Sequence, residues 1–149
     1  MSNSYIETRT GPEIVAWMRE FYKEIPVLGL LGAVPISYDT ETGEVVVEYF
    51  ARDEFLNIVG SVQGGILTAM LDNAMSFAVL AAMEPIYVAP SLEIKTSYMS
   101  PGPAGQIIGR GNLIRLGRTI AFMEGKLFDP EGKLVATATG TAQIRERKR

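Results

Sequence analysis

The sequence contains no cysteine and no histidine, and each absence closes off a class of chemistry. Without cysteine there is no disulfide framework, no thiolate nucleophile and no Cys-ligated zinc or iron–sulfur cluster. Without histidine, Ser-His-Asp and Cys-His relays and imidazole metal sites are excluded. Positive charge is also scarce: 14 Lys and Arg stand against 17 Asp and Glu, a formal net charge of −3. A nucleic-acid binder is usually clearly basic, so no nucleic-acid partner is expected. The opening residues, Met1 to Thr10, lack the basic start and apolar run of a secretory signal. Catalysis is left to carboxylate, hydroxyl, amide and backbone groups.

A chain of 149 residues suits one domain, expected to span 1–149, and is long enough to bury a full core without staples. Its one membrane-like stretch, Ile66 to Met83, is interrupted by Thr68, Asp72, Asn73 and Ser76. A central Asp-Asn pair is costly in hydrocarbon, whereas a helix apolar on nearly every side also suits a protein core. A buried helix, no membrane partner and a soluble, cytoplasmic protein are expected.

Around this helix the text is mostly strands. Glu13 to Glu24 carries Ile14, Val15, Trp17, Met18, Phe21 and Tyr22 at helical spacing behind Pro12, and Ile25-Pro26 ends it. Val27 to Ile36, rich in Gly and Pro, reads as a loop. Glu44 to Phe50 is a β-branched run. After Pro85 and Pro90, Leu92, Ile94, Thr96 and Tyr98 alternate with Glu93, Lys95 and Ser97, a period of two. Gln106–Arg115, Thr119–Phe128 and Lys133–Gln143 follow, joined by Leu116-Gly117-Arg118 and by the turn Asp129-Pro130-Glu131-Gly132. Ile144 to Arg149 reads as a charge cluster. Hairpin strands with a segregated helix indicate an α+β fold with an antiparallel sheet. A sheet curled about a long central helix, with an additional N-terminal helix, is a hot-dog fold.

The segment Asn57-Ile58-Val59-Gly60-Ser61-Val62-Gln63-Gly64-Gly65 leads into the helix. Two glycines at a helix start leave backbone N–H groups unshielded, able to hold a developing oxyanion with the helix dipole behind them; they equally serve close packing. Thr68, Asp72 and Ser76 fall at i, i+4 and i+8 and form one polar stripe. A carboxylate there needs a partner, a wet cleft or a shifted pKa, and an interface Asp satisfied by its neighbours is the plainer alternative. Gly64 and Asp72 lie about 12 Å apart along a helix. One substrate atom cannot touch both on the same helix, but two antiparallel copies across a two-fold axis bring Gly64 of one beside Asp72 of the other. A catalytic reading therefore requires a homodimer at least, with two equivalent sites; a homotetramer is the expected state.

Asn57-x-x-Gly60-x-x-x-Gly64-Gly65, then Leu71-Asp72, and later Ser97-Tyr98-Met99-Ser100-Pro101, resembles the hot-dog acyl-CoA thioesterases of the phenylacetic-acid-degradation (PaaI-like) type. The resemblance runs from about Val45 to Ile144. It implies hydrolysis of a small or medium acyl-CoA, including aryl-CoA, to carboxylate and free CoA. Gly64 would polarise the thioester carbonyl, with Gly65 beside it at the CoA-binding end, and Asp72 would activate water or attack directly. Asn57 would position water or thioester, and Ser91, otherwise an ordinary residue at a strand start, would orient the water. The family usually carries histidine before the two glycines; Gln63 stands here, an amide able to keep the loop ordered but unable to titrate near neutral pH. Hot-dog hydratases and dehydratases use a histidine, so that activity is not expected. No cofactor is implied, since coenzyme A is part of the substrate.

Coenzyme A phosphates need cationic contacts. Arg115 and Arg118 flanking Gly117 are candidates, as are Arg145, Arg147, Lys148 and Arg149. The acyl chain would lie among Met70, Phe77, Met83 and Tyr98, unless these simply pack the core. A non-catalytic acyl-CoA or ligand-binding hot-dog protein is the alternative, with Gln63 marking lost turnover.

Overall fold

The computed structural model describes residues 9–147. Helix α1 (Gly11–Tyr22) starts on a capping box: Thr10 accepts from the Glu13 backbone, and the Glu13 carboxylate accepts from the Thr10 N–H at 2.7 Å. It buries Ile14, Val15 and Met18. The segment read as a loop from Val27 to Ile36 instead folds into α2 (Pro26–Leu31) and most of β1 (Val34–Tyr38). Pro26 takes the first helical position and Gly32 closes the helix with φ 61°, a left-handed cap in the Schellman manner. Six residues are too few to show a period. Pro35 is tolerated in β1 because that strand lies at the sheet edge and is irregular between Pro35 and Ser37.

Strands β2 (Glu44–Ala51), β4 (Ser91–Tyr98), β5 (Gly105–Leu116), β6 (Ile120–Phe128) and β7 (Leu134–Gln143) match the sequence expectations to within a residue or two. With β1 they form one antiparallel six-stranded sheet in the order β1-β2-β5-β6-β7-β4. The tail read as a charge cluster is partly structured: β8 (Arg145–Glu146) pairs with β3 (Tyr87–Val88) in a short ribbon. Lys148 and Arg149 lie outside the described residues.

The central helix α3 (Gly64–Ala81) is the element the sheet curls around. Leu67, Met70, Leu71, Ala74, Met75, Phe77, Ala78, Val79 and Ala81 are buried, which accounts for a helix long and apolar enough to cross a membrane. The helix and sheet approach closely because small residues line the contact. A Cβ on Gly111 of β5 would overlap the Ala74 carbonyl, and one on Gly125 of β6 would stand 2.9 Å from the Met75 side chain. Gly111→Ala meets helix backbone, which cannot turn aside, so it is expected to cost more than ~3 kcal/mol, at or beyond the upper range for core overpacking. Chemical denaturation checks this, with Gly29→Ala, where a Cβ in α2 would meet nothing within 4 Å, as the comparison.

Candidate active site

Helix α3 presents its polar stripe to β4, the open edge of the sheet. Thr68 meets Thr96 at 3.1 Å, and Asp72 Oδ1 accepts from the Ser91 hydroxyl at 2.6 Å. The Tyr98 hydroxyl donates to the Gly64 carbonyl at 2.9 Å and lies 2.8 Å from Thr68 Oγ1. The stripe is polar because no strand lies beyond β4. Asp72 and Ser91, which the sequence offered separately, are thus brought together. The short charge-assisted bond uses one carboxylate oxygen and leaves the other for a reactant. Among the described residues no cation lies within 4 Å of Asp72 and no cluster of ligands suits a metal.

Below Asp72 stands Tyr49, fully buried, with its hydroxyl 2.8 Å from Asn73 Oδ1 and 2.9 Å from the Met70 carbonyl. Burial first, and the Asp72 charge second, hold that phenol well above its ordinary pKa, so it is a neutral donor. Sequence reasoning missed Tyr49; its place opposite polar positions of the helix becomes visible only once β2 is laid against α3.

At the other end, residues 57–63 form a loop tied by the bridge between Leu56 and Val62. Asn57 Oδ1 collects the Val59 N–H at 3.0 Å and the Ser61 N–H and hydroxyl at 3.3 Å, so its oxygen is spent on the loop and only its NH2 can reach a ligand. The Gln63 backbone N–H donates to Phe55 at 2.8 Å, and its carbonyl caps Ile66 and Leu67. The Gln63 side chain is exposed and makes no hydrogen bond among the described residues. Backbone and Asn57 therefore order the loop, and the Gln63 amide does not. The N–H groups of Gly64 and Gly65 open the helix with no acceptor among the described residues. A Cβ on Gly64 would lie 2.9 Å from the Tyr98 ring, so this N–H is flanked closely by an aromatic edge. Asn57, Ser61, Gly64, Tyr98 and Met99 share one groove, which excludes Asp72 and Ser91. Within one chain the two halves stay apart.

The chain matches the sequence profile of the thioesterase superfamily over residues 59–136. The chain belongs to that superfamily. Human acyl-coenzyme A thioesterase 13 is 27% identical over 128 residues, covering 85% of this chain and 86% of that protein. A phenylacetic acid degradation-related protein from Ralstonia eutropha JMP134 is 40% identical, covering 85% and 98% of the two chains with a TM-score of 0.79. A Streptococcus mutans UA159 protein solved with acetyl CoA shares the fold at 21% identity, TM-score 0.69, over 78% and 91% of the chains. This places the chain among thioester-hydrolysing enzymes of hot-dog architecture.

The part matched to the thioesterase superfamily contains Gly64, Asp72 and Ser91, and also the arginine hairpin. Gly117 closes that hairpin, donating to Ile120 at 2.9 Å, with Arg115 and Arg118 exposed on either side. Ser91, Ala142, Ala121 and Leu116 stand side by side across four strands, which sets the two strands of the hairpin about 10 and 14 Å from Ser91. Arg145 and Arg147 are exposed on and beside β8. Of the expected acyl residues, Met70, Phe77 and Met83 are at most 3% exposed and pack the core, Phe77 reaching only the floor of a pocket between α1 and β1, while Tyr98 lines the open groove beside Asn57.

Proposed function

We propose that this protein hydrolyses small or medium acyl-CoA thioesters, in the cytoplasm, at two sites shared across a homodimer, two such dimers making a homotetramer. Asp72 and Ser91 come from one chain, Gly64 and Asn57 from its partner. The observation that carries this reading is the separation just described: an accessible carboxylate and an unused pair of helix N-terminal N–H groups lie along one exposed edge, about 12 Å apart on the helix axis. Edge strand β4 leaves Leu92 58% and Tyr98 53% exposed, and Ile58 at the loop tip is wholly exposed. An uncovered edge strand with apolar side chains is a ready surface for a second copy. A two-fold axis near Thr68, midway between Gly64 and Asp72, sets each glycine beside the partner's carboxylate. The human relative's name and the acetyl CoA held by the Streptococcus mutans protein support CoA thioesters as substrates.

In the proposed reaction the thioester oxygen faces the Gly64 N–H, where the helix N-terminus stabilises the charge that develops on attack. Asp72 takes a proton from water as the water oxygen bonds to the carbonyl carbon. The tetrahedral intermediate then expels the CoA thiolate, which recovers that proton. Ser91 holds Asp72 through Oδ1 and turns the free oxygen towards the water. Direct attack by Asp72 is the variant of this scheme, and trapping an acyl group on Asp72 identifies it. The Arg115–Arg118 hairpin would meet the CoA phosphates, with the partner's Gly65 at the helix start that faces it.

A panel of acyl-CoAs with a thiol reagent tests the assignment: release of free CoA is expected with at least one member. Tight acyl-CoA binding without release would favour the non-catalytic binder. Ser91→Ala should lower kcat about tenfold or more with little change in KM, since it removes an orienting hydrogen bond and no substrate contact.

A further inference from the structure

Next to the Asp72–Ser91 pair the fold holds a cleft of about 590 Å³ that the reaction scheme leaves unused. Tyr22 at the end of α1, Ile25 just before α2, Ser76 and Leu80 from α3, and Tyr87 and Pro90 before β4 line it. Ser76 follows Asp72 by one turn on the same helix, about 6 Å along the axis, and Pro90 directly precedes Ser91. One end of the cleft thus opens beside the carboxylate. The run from Asp72 to Leu80 spans about 12 Å.

The walls are mostly apolar, with Arg145 and Arg147 on the ribbon side, and are held in place. Tyr22 packs on Phe77 of the core at 5.4 Å between ring centroids, and the Arg147 guanidinium lies 5.3 Å from the Phe21 ring. The Arg147 N–H donates to the Ile86 carbonyl at 2.7 Å, fixing the β3–β8 ribbon along one side. The volume falls within the range of small-molecule sites, which are mostly apolar with a few polar groups. Tyr22, Ile25 and Arg147 all lie outside residues 59–136, so these walls are not part of the shared superfamily profile.

We propose that this cleft is the acyl pocket of the Asp72 site, that it takes an apolar acyl group of medium length, and that α1 and the β3–β8 ribbon set the length accepted. This rests on the thioester-hydrolase reading of Asp72. The acyl chain runs from the carboxylate past Ser76 and ends between Leu80 and Tyr87. Each methylene buried there is about a fourfold gain in binding, so the preference over acetyl grows with length until the far wall is met.

The test compares kcat/KM for acetyl-, butanoyl-, octanoyl- and palmitoyl-CoA in wild type and in Leu80→Trp, which fills the far end. Wild type should favour octanoyl over acetyl by more than ~10-fold, and Leu80→Trp should lower that ratio at least ~10-fold. A non-hydrolysable octanoyl thioether of CoA with a diazirine at the chain end gives a second reading on unaltered protein. Its label should fall on peptides carrying Tyr22, Leu80 or Tyr87. An unchanged ratio in a folded variant, or label confined to the Asn57–Tyr98 groove, overturns the proposal. If Leu80→Trp does not fold, the labelling decides. No turnover of any acyl-CoA by wild type sinks the hydrolase reading instead, while labelling still reports on the cleft.

Discussion

Asp72→Asn should lower kcat for acyl-CoA hydrolysis by at least ~10²-fold, the low end for removal of a general base. The substitution keeps the shape of the side chain and can retain the Ser91 contact, since the amide oxygen still accepts from Oγ. What it removes is the group that takes the proton or attacks the carbonyl. Binding of CoA alone should survive, because the candidate phosphate contacts at Arg115 and Arg118 lie two to three strands away. A fall in kcat and kcat/KM together, with CoA affinity preserved, is the pattern of an interaction made in the transition state. Equal activity of the two proteins would remove Asp72 from the mechanism.

Gly64→Pro should be as damaging as Asp72→Asn on its own and should recover activity only in mixed dimers. Proline deletes the N–H proposed for the oxyanion, and loss of one such donor costs ~10²- to 10³-fold in kcat. The backbone accepts it: Gly64 is the first helical residue, and Gln63 has φ −56° and ψ 134°, the extended conformation a residue before proline prefers. Its ring must displace the Tyr98 side chain, which stands 2.9 Å from the Cβ position. Gly64→Ala brings the same crowding and keeps the N–H, so the difference between the two variants isolates the donor. Mixed and re-associated, Gly64→Pro and Asp72→Asn chains give dimers of which about half are mixed, each with one intact site of two, so about a quarter of wild-type activity should return. Chain exchange is followed by mass spectrometry. No recovery between folded, exchanging chains would end the shared-site reading, and Gly64 would be the first assignment to fall.

Much of this was legible in the residues alone. The lack of cysteine and histidine narrowed the chemistry to carboxylate and backbone. The apolar run after Gly64-Gly65 and the period-two strands after Pro90 defined the central helix and most of its sheet, because burial on one side and alternation across a pleat are local properties. Helix rise alone separated Gly64 from Asp72 and so demanded a second chain for any catalytic reading.

Only the tertiary structure decided who meets whom. Ser91 reaches Asp72, and Tyr98 reaches Gly64, because β4 runs along the polar stripe of α3 at the sheet edge. No spacing in the sequence contains that pairing, since a one-residue slip of β4 would turn Ser91 and Tyr98 to the other face. The close seat of α3 on Gly111 and Gly125, the folding of residues 27–36 into α2 and β1, and the burial of Met70, Phe77 and Met83 are of the same kind. Each depends on the distance between segments far apart in the chain, and that distance is set by packing of the whole core, not by any local propensity.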